Sequence, residues 1–199
     1  MAEATPSKLL HLLQLLLLCI SASEVASAAS SSADFIRSSC GTTTYPALCV
    51  KRLAAYAPSV RRSPRELARA ALTVSADRAR STSAFVARFS AGGNKAIKAR
   101  EAGAIRDCLE NMADSVDWLR QSAQELGRLG RPGSAGFMWH LNNVQTWSSA
   151  ALTDENTCLD SLSQNGSRTA REAIRKKVVE VAQLTSNALA LVNRIGPKH

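Results

Sequence analysis

The chain has 199 residues, 25 lysines and arginines against 16 aspartates and glutamates, and a formal net charge of +9. Only 5% of residues are aromatic, and valine, isoleucine and threonine form no alternating runs, which argues against a strand-built fold. Histidine occurs three times and none of the five cysteines lies in a CxxC pair, so a zinc site has little support.

In chain order, Lys8 precedes an apolar run from Leu9 to Ile20 that His11 and Gln14 interrupt, and small residues follow over Ser21–Ala29. A run this short does not span a bilayer comfortably. The pattern reads as a secretory signal peptide over residues 1–28, cleaved near Ala28 after Ala26-Ser27-Ala28, against the alternative of a buried N-terminal helix. No later segment is apolar enough to cross a membrane, so no membrane partner is expected. Loss of Glu3, Lys8 and Glu24 with the leader moves the net charge from +9 to +10 and removes Cys19. An even set remains: Cys40, Cys49, Cys108 and Cys158, which suits two disulfides in an oxidising compartment. Three pairings are open. Chain proximity favours Cys40–Cys49 and leaves Cys108–Cys158, whose loop of about 50 residues would contribute roughly 3–4 kcal/mol.

Residues 29–62 read as an N-terminal helical hairpin, broken by Gly41 and Pro46 and carrying Phe35 and Ile36. Residues 63–199 read as a bundle domain. Its first helix follows Ser63-Pro64, carries Leu67, Ala71, Val74, Phe85 and Phe89, and stops at Gly92-Gly93. A second runs from about Asn94 to Leu129, with Ile105, Cys108, Met112, Val116, Leu119, Ala123 and Leu126 on one stripe. Gly130-Arg131-Pro132-Gly133 breaks the chain. The third helix covers about Ala135 to Leu162, with Phe137, Leu141, Val144, Ser148, Ala151, Cys158 and Leu162 at the same spacing. After a polar loop, Gln164–Ser167, the fourth covers about Thr169 to Ile195, with Ile174, Val178, Val181, Leu184, Ala188, Leu191 and Ile195. The fold class is all-α: an up-down-up-down four-helix bundle preceded by the hairpin. Cys108 and Cys158 both lie on apolar stripes, where a bond would staple the second helix to the third.

No chemistry emerges. There is no GxSxG elbow, HExxH, P-loop or dinucleotide fingerprint, and only His140 and His199 survive loss of the leader. Asp114 and Asp117 share a helical face, where a solvated acidic patch is the ordinary outcome. Trp118, Trp139 and Trp147 fall in helical stretches where packing is the default. No cofactor, metal or nucleic-acid partner is expected. The basic balance suggests weak binding to an acidic polysaccharide such as pectin. Asn165-Gly166-Ser167 is a glycosylation sequon that export would make usable, giving a glycoprotein.

Three stretches carry a resemblance: Cys40-Gly-Thr-Thr-Thr-Tyr-Pro-Ala-Leu-Cys49, Asp107-Cys-Leu-Glu with Ala113-Asp-Ser-Val-Asp-Trp-Leu119, and Asn143-Val-Gln-Thr-Trp through Thr157-Cys-Leu-Asp160. Together they resemble the plant invertase and pectin methylesterase inhibitor family over essentially the whole mature chain. That resemblance implies pairing of Cys40 with Cys49 and of Cys108 with Cys158. It implies a secreted inhibitor rather than an enzyme, in the apoplast and cell wall. The implied partner is pectin methylesterase, its substrate cleft covered; acid invertase of the wall or vacuole is the alternative. The run from Gln145 to Asp160 looks more like the pectin methylesterase branch, and the Pro-Lys-Phe motif of many invertase inhibitors is absent. Partner contacts carried over by motif are Thr157 and Asp160, then Asp114 and Asp117, with Asn111 behind them. Thr157 and Asp160 would otherwise cap a helix turn or loop. Ser161 departs from the family pattern, where a smaller residue often follows Cys-Leu-Asp. Whether the hairpin packs on its own bundle or swaps onto a neighbour is left open.

Overall fold

The computed structural model describes residues 31–91, 99–164 and 168–196. The expected signal peptide and the Asn165 sequon lie outside the described residues. Among the described residues, no helix is long and apolar enough to cross a membrane.

Helix α1 covers residues 31–40. A tight turn leads to α2, Pro46–Leu53, then a 3-10 turn at Ala54–Tyr56 and the short α3, Ala57–Val60. Four long helices follow: α4, Pro64–Ala91; α5, Ala99–Arg128; α6, Phe137–Gln164; and α7, Arg168–Val192. Each packs on its chain neighbour and α4 closes the ring against α7, as an up-down-up-down bundle requires.

The helix starts follow local chemistry. Ser63 Oγ accepts the Glu66 N–H at 3.3 Å while Pro64 occupies the first helical position, so Ser-Pro-Arg-Glu opens α4 with a serine cap. Before it the chain turns through Arg61 and Arg62, at φ 46° and 60°, a left-handed conformation that non-glycine residues seldom adopt. Helix α6 begins two residues later than expected, because Ser134 and Gly136 carbonyls accept the Phe137 and His140 N–H groups in the preceding turn. At the other end α7 gives way to tighter bonds, Arg194 N–H to Leu191 and Ile195 N–H to Val192, so the regular helix stops at Val192 rather than Ile195.

The hairpin packs on its own bundle. Ile36, Cys40, Leu53 and Val60 join the core cluster. Buried Asn187 of α7 holds the backbone of Tyr45, just before α2, by both hands: its amide donates to the Tyr45 carbonyl and its oxygen accepts the Tyr45 N–H, each at 2.9 Å. Glu180 of α7 accepts from Arg52 of α2 and Arg78 of α4, tying three elements together. Burial works to raise the Glu180 carboxyl, and the bonds and charges of the two arginines outweigh it and hold it below its usual range. Both expected disulfides are present: Cys40–Cys49 within the hairpin and Cys108–Cys158 between α5 and α6.

Candidate functional site

Helices α5 and α6 run antiparallel in close contact, and polar groups mark their seam at regular intervals. Cys108 bonds Cys158, with the Cα atoms 4.2 Å apart. One heptad on, Ser115 Oγ donates to Glu155 Oε1 at 2.7 Å, and another heptad on Ser122 meets Ser148 at 3.3 Å. Then Glu125 Oε1 meets His140 Nδ1 at 2.8 Å and accepts from Asn143 at 3.1 Å. Ser115, Ser122, Ser148 and Glu155 are fully buried. Of this ladder only Cys108, Ser148 and Cys158 fall on the apolar stripes read from the sequence, which pass over Ser115, Ser122, Glu125 and Glu155. The seven-residue spacing of Cys108, Ser115, Ser122 and Leu129 was the available signal. On the stripe predicted for α5, Val116 and Ala123 are only partly buried, because the helix turns these serines inward instead.

Glu155 sits at the centre of the bundle. Its Oε1 also accepts from Thr185 of α7 at 2.8 Å, while Oε2 is buried without a partner. Burial pushes its carboxyl from 4.5 up to about 8, against the pull of the Ser115 and Thr185 hydroxyls, and nearby Asp154 adds to the rise. It is therefore neutral at mildly acid pH. Glu125, also buried, goes the other way. Burial raises it, but hydrogen bonds from His140 and Asn143 and the His140 and Arg128 charges leave it below its usual range.

The residues singled out for partner contact all lie on this helix pair. Asp114 and Asp117 project from α5 into solvent, and Thr157 and Asp160 are exposed on α6. Asn111 is half-buried, its amide donating to the Asp107 carbonyl one turn back at 2.8 Å. Thr157 and Asp160 both stand inside α6, and the Thr157 hydroxyl donates to the Thr153 carbonyl at 2.9 Å. Ser161, the departure from the family pattern, donates to the Cys158 carbonyl at 2.9 Å and reaches the Ala104 carbonyl of α5 at 3.5 Å, so it belongs to the seam.

The structure adds Asp154 to this set. Burial, then the neighbouring Asp114 charge, raises its carboxyl, and a hydrogen bond from Trp118 opposes them. Asp114 and Trp118 of α5 thus meet Asp154 of α6 across the seam, one turn from Thr157. The face is acidic, polar and rigidly mounted. Among the described residues, no group of histidine, cysteine and carboxylate side chains is arranged to hold a metal ion. Trp118 packs against the core as expected, whereas Trp139 does not: 62% of it is exposed at the start of α6.

A family model described as plant invertase/pectin methylesterase inhibitor matches residues 34–191, which spans the hairpin and all four long helices. The chain belongs to this family. Its members are inhibitors, and so is the relative named Pectinesterase inhibitor 9 of Arabidopsis thaliana, which is 52% identical over 85% of this chain and 84% of that protein. The 21 kDa protein of Daucus carota is 44% identical over 87% of this chain and 90% of its own length. Among solved structures, a mutant form of a pectin methylesterase inhibitor from Arabidopsis superposes with a TM-score of 0.63, covering 80% of this chain and 95% of that one at 22% identity. That likeness concerns the fold alone.

Proposed function

We propose that this chain is a secreted inhibitor of pectin methylesterase that binds the enzyme through the α5–α6 face and covers its substrate cleft, limiting removal of methyl esters from pectin. The observation that carries the reading is the 52% identity to a protein named Pectinesterase inhibitor 9 along nearly the whole of both chains. The geometry supports it. Thr157 and Asp160 of α6, with Asp114, Asp117 and Asn111 of α5, stand on two helices locked by the Cys108–Cys158 bond and the buried Glu155 contacts. Short polar side chains on such a mount lose little rotamer freedom when they pair with polar groups of a partner. The carboxylates would make the complex sensitive to pH, since protonation removes their charge.

In this reading residues 1–28 direct export to the apoplast and cell wall, residues 29–62 form the hairpin, residues 63–199 form the inhibitory bundle, and Asn165 is open to glycosylation. Two disulfides agree with an oxidising destination. The test is an assay of both enzyme classes with purified mature protein at near-equal concentration. Loss of methyl ester hydrolysis with sucrose hydrolysis untouched supports the proposal. Unchanged ester hydrolysis with falling invertase activity would instead favour the family's other target.

A further inference from the structure

One end of the bundle carries both exposed arginines and an exposed tryptophan. The Arg65 guanidinium donates to the Leu129 carbonyl and, at 2.6 Å, to the Gly127 carbonyl, so the start of α4 lies against the end of α5. Glu125 near the end of α5 contacts both His140, at the start of α6, and Arg128. Arg61 and Arg62 precede α4, Arg128 closes α5, and Arg131 lies in the loop to α6; all four are exposed. Among the described residues, the side chains of Arg61, Arg62 and Arg131 form no hydrogen bond or ion pair. The carboxylates nearby do little to offset them. Glu125 is buried, and Glu66 is paired with Arg69 at 3.3 Å. The same pole carries Trp139, 62% exposed and held edge-to-face by the His140 ring at 4.9 Å, and Met138, 45% exposed.

We propose that this pole is a binding surface for a carboxylated polysaccharide, separate from the α5–α6 face assigned to the enzyme. Each part of the surface matches such a polymer. A chain with a carboxylate on successive rings presents charges at intervals that separated guanidinium groups can pair with, singly or by both nitrogens. The apolar C–H face of a pyranose ring gives an exposed indole something to cover. Nucleic acid fits less well, because single-strand binders set several aromatic platforms along a basic groove, whereas the described residues of this pole offer one exposed tryptophan. The disulfides also belong to an oxidising compartment, where extracellular polysaccharide is met. Arg61 and Arg62 hold left-handed backbone where α3 ends, and both are exposed. From Trp139 to Thr157 the α6 axis advances about 27 Å, so a polymer at the pole leaves the other face open.

The inference does not rest on the inhibitory reading, and the test separates the two. The full mature chain is passed over immobilised polygalacturonate at increasing salt, beside fully methyl-esterified polymer, a short DNA duplex and phosphatidylserine vesicles. Arg61→Gly with Arg62→Gly removes both charges while suiting the left-handed backbone, and Arg131→Ser removes a third. Affinity for polygalacturonate is expected to fall roughly tenfold or more in the triple variant, with a shallower salt dependence. Trp139→Ala weakens binding several-fold at every salt concentration, and Trp139→Phe restores part of the loss. Pectin methylesterase inhibition by the same variants stays at its wild-type level. Equal retention of wild type and triple variant overturns the proposal, as does binding to duplex or vesicles as tight as to polygalacturonate. So does a Trp139→Ala variant that binds like wild type.

Discussion

The two halves of α6 carry opposite chemistry. Toward its C-terminal end Asp154, Thr157 and Asp160 stand with Asp114 and Asp117 of α5 as a carboxylate face. At its N-terminal end Trp139 shares a pole of the bundle with exposed arginines supplied by a loop and two helix ends. The carboxylate half is braced from behind by a disulfide and a buried glutamate bonded to two other helices. The arginine pole is tied by Arg65 on the α5 carbonyls and by buried Glu125 bonded to His140 and Asn143 of α6, while its other arginine side chains are left in water. A surface that must keep its shape against a folded partner gains from the first arrangement. One that follows a flexible polyanion can use the second, since exposed charges act through the field rather than through fixed geometry.

The largest expected effect tests the brace. Replacing Cys108 and Cys158 together by alanine should lower unfolding free energy by about 4 kcal/mol in a urea titration. Under native conditions inhibition should suffer more than retention on polygalacturonate, and equal losses would erase the distinction between the halves. Next comes pH. The folded carboxyl of Glu155 is raised from 4.5 to about 8, so the native state holds a proton that the unfolded chain releases, and stability from this residue falls as pH climbs through that interval. Each pH unit there costs up to about 1.4 kcal/mol. Glu155→Gln, neutral throughout and still able to accept from Ser115 and Thr185, should flatten the decline of Tm between these limits. A slope that persists unchanged would place the titration elsewhere.

Asn187→Ala strands the backbone groups of Tyr45 and should destabilise by about 1–3 kcal/mol, with faster amide exchange confined first to the hairpin. Exchange rising uniformly along α5 and α6 would mean that the hairpin and the carboxylate half unfold as one unit. The smallest effect belongs to the pole. Ser63→Ala removes the cap of α4 at about 1 kcal/mol, read by thermal unfolding, and leaves inhibition unchanged.

Much of this architecture was legible before any coordinates. Apolar residues three and four apart located each long helix, and glycine, proline and the Ser63-Pro64 pair placed most boundaries within a few residues. Cysteine parity and stripe position pointed to the disulfides that the structure contains. What escaped is polar. Ser115 and Thr185 donate to one oxygen of Glu155 and Ser148 donates to Ser122 inside the core, and no local pattern announces that a hydroxyl will face a carboxyl forty residues away. The Asn187–Tyr45 clamp joins positions still further apart. Trp139 was read as packed because aromatic residues in helices usually are, yet in the first turn of α6 it stands on the side away from buried Phe137 and Leu141. The contact residues Thr157, Asp160, Asp114, Asp117 and Asn111 came from resemblance, not periodicity, which says only that most of them face solvent.

Whether the carboxylate half is the inhibitory one can be read directly from the enzyme. A fixed amount of pectin methylesterase should be titrated with the wild-type chain and with a Thr157→Arg, Asp160→Arg double variant, following release of methanol from pectin. Activity should vanish near a one-to-one ratio for the wild type. The double variant should need roughly tenfold more protein or worse, as like-for-unlike charge at an interface demands, while its retention on polygalacturonate holds. Full enzyme activity at equimolar wild-type protein, or inhibition by the double variant as strong as by the wild type, would contradict the account.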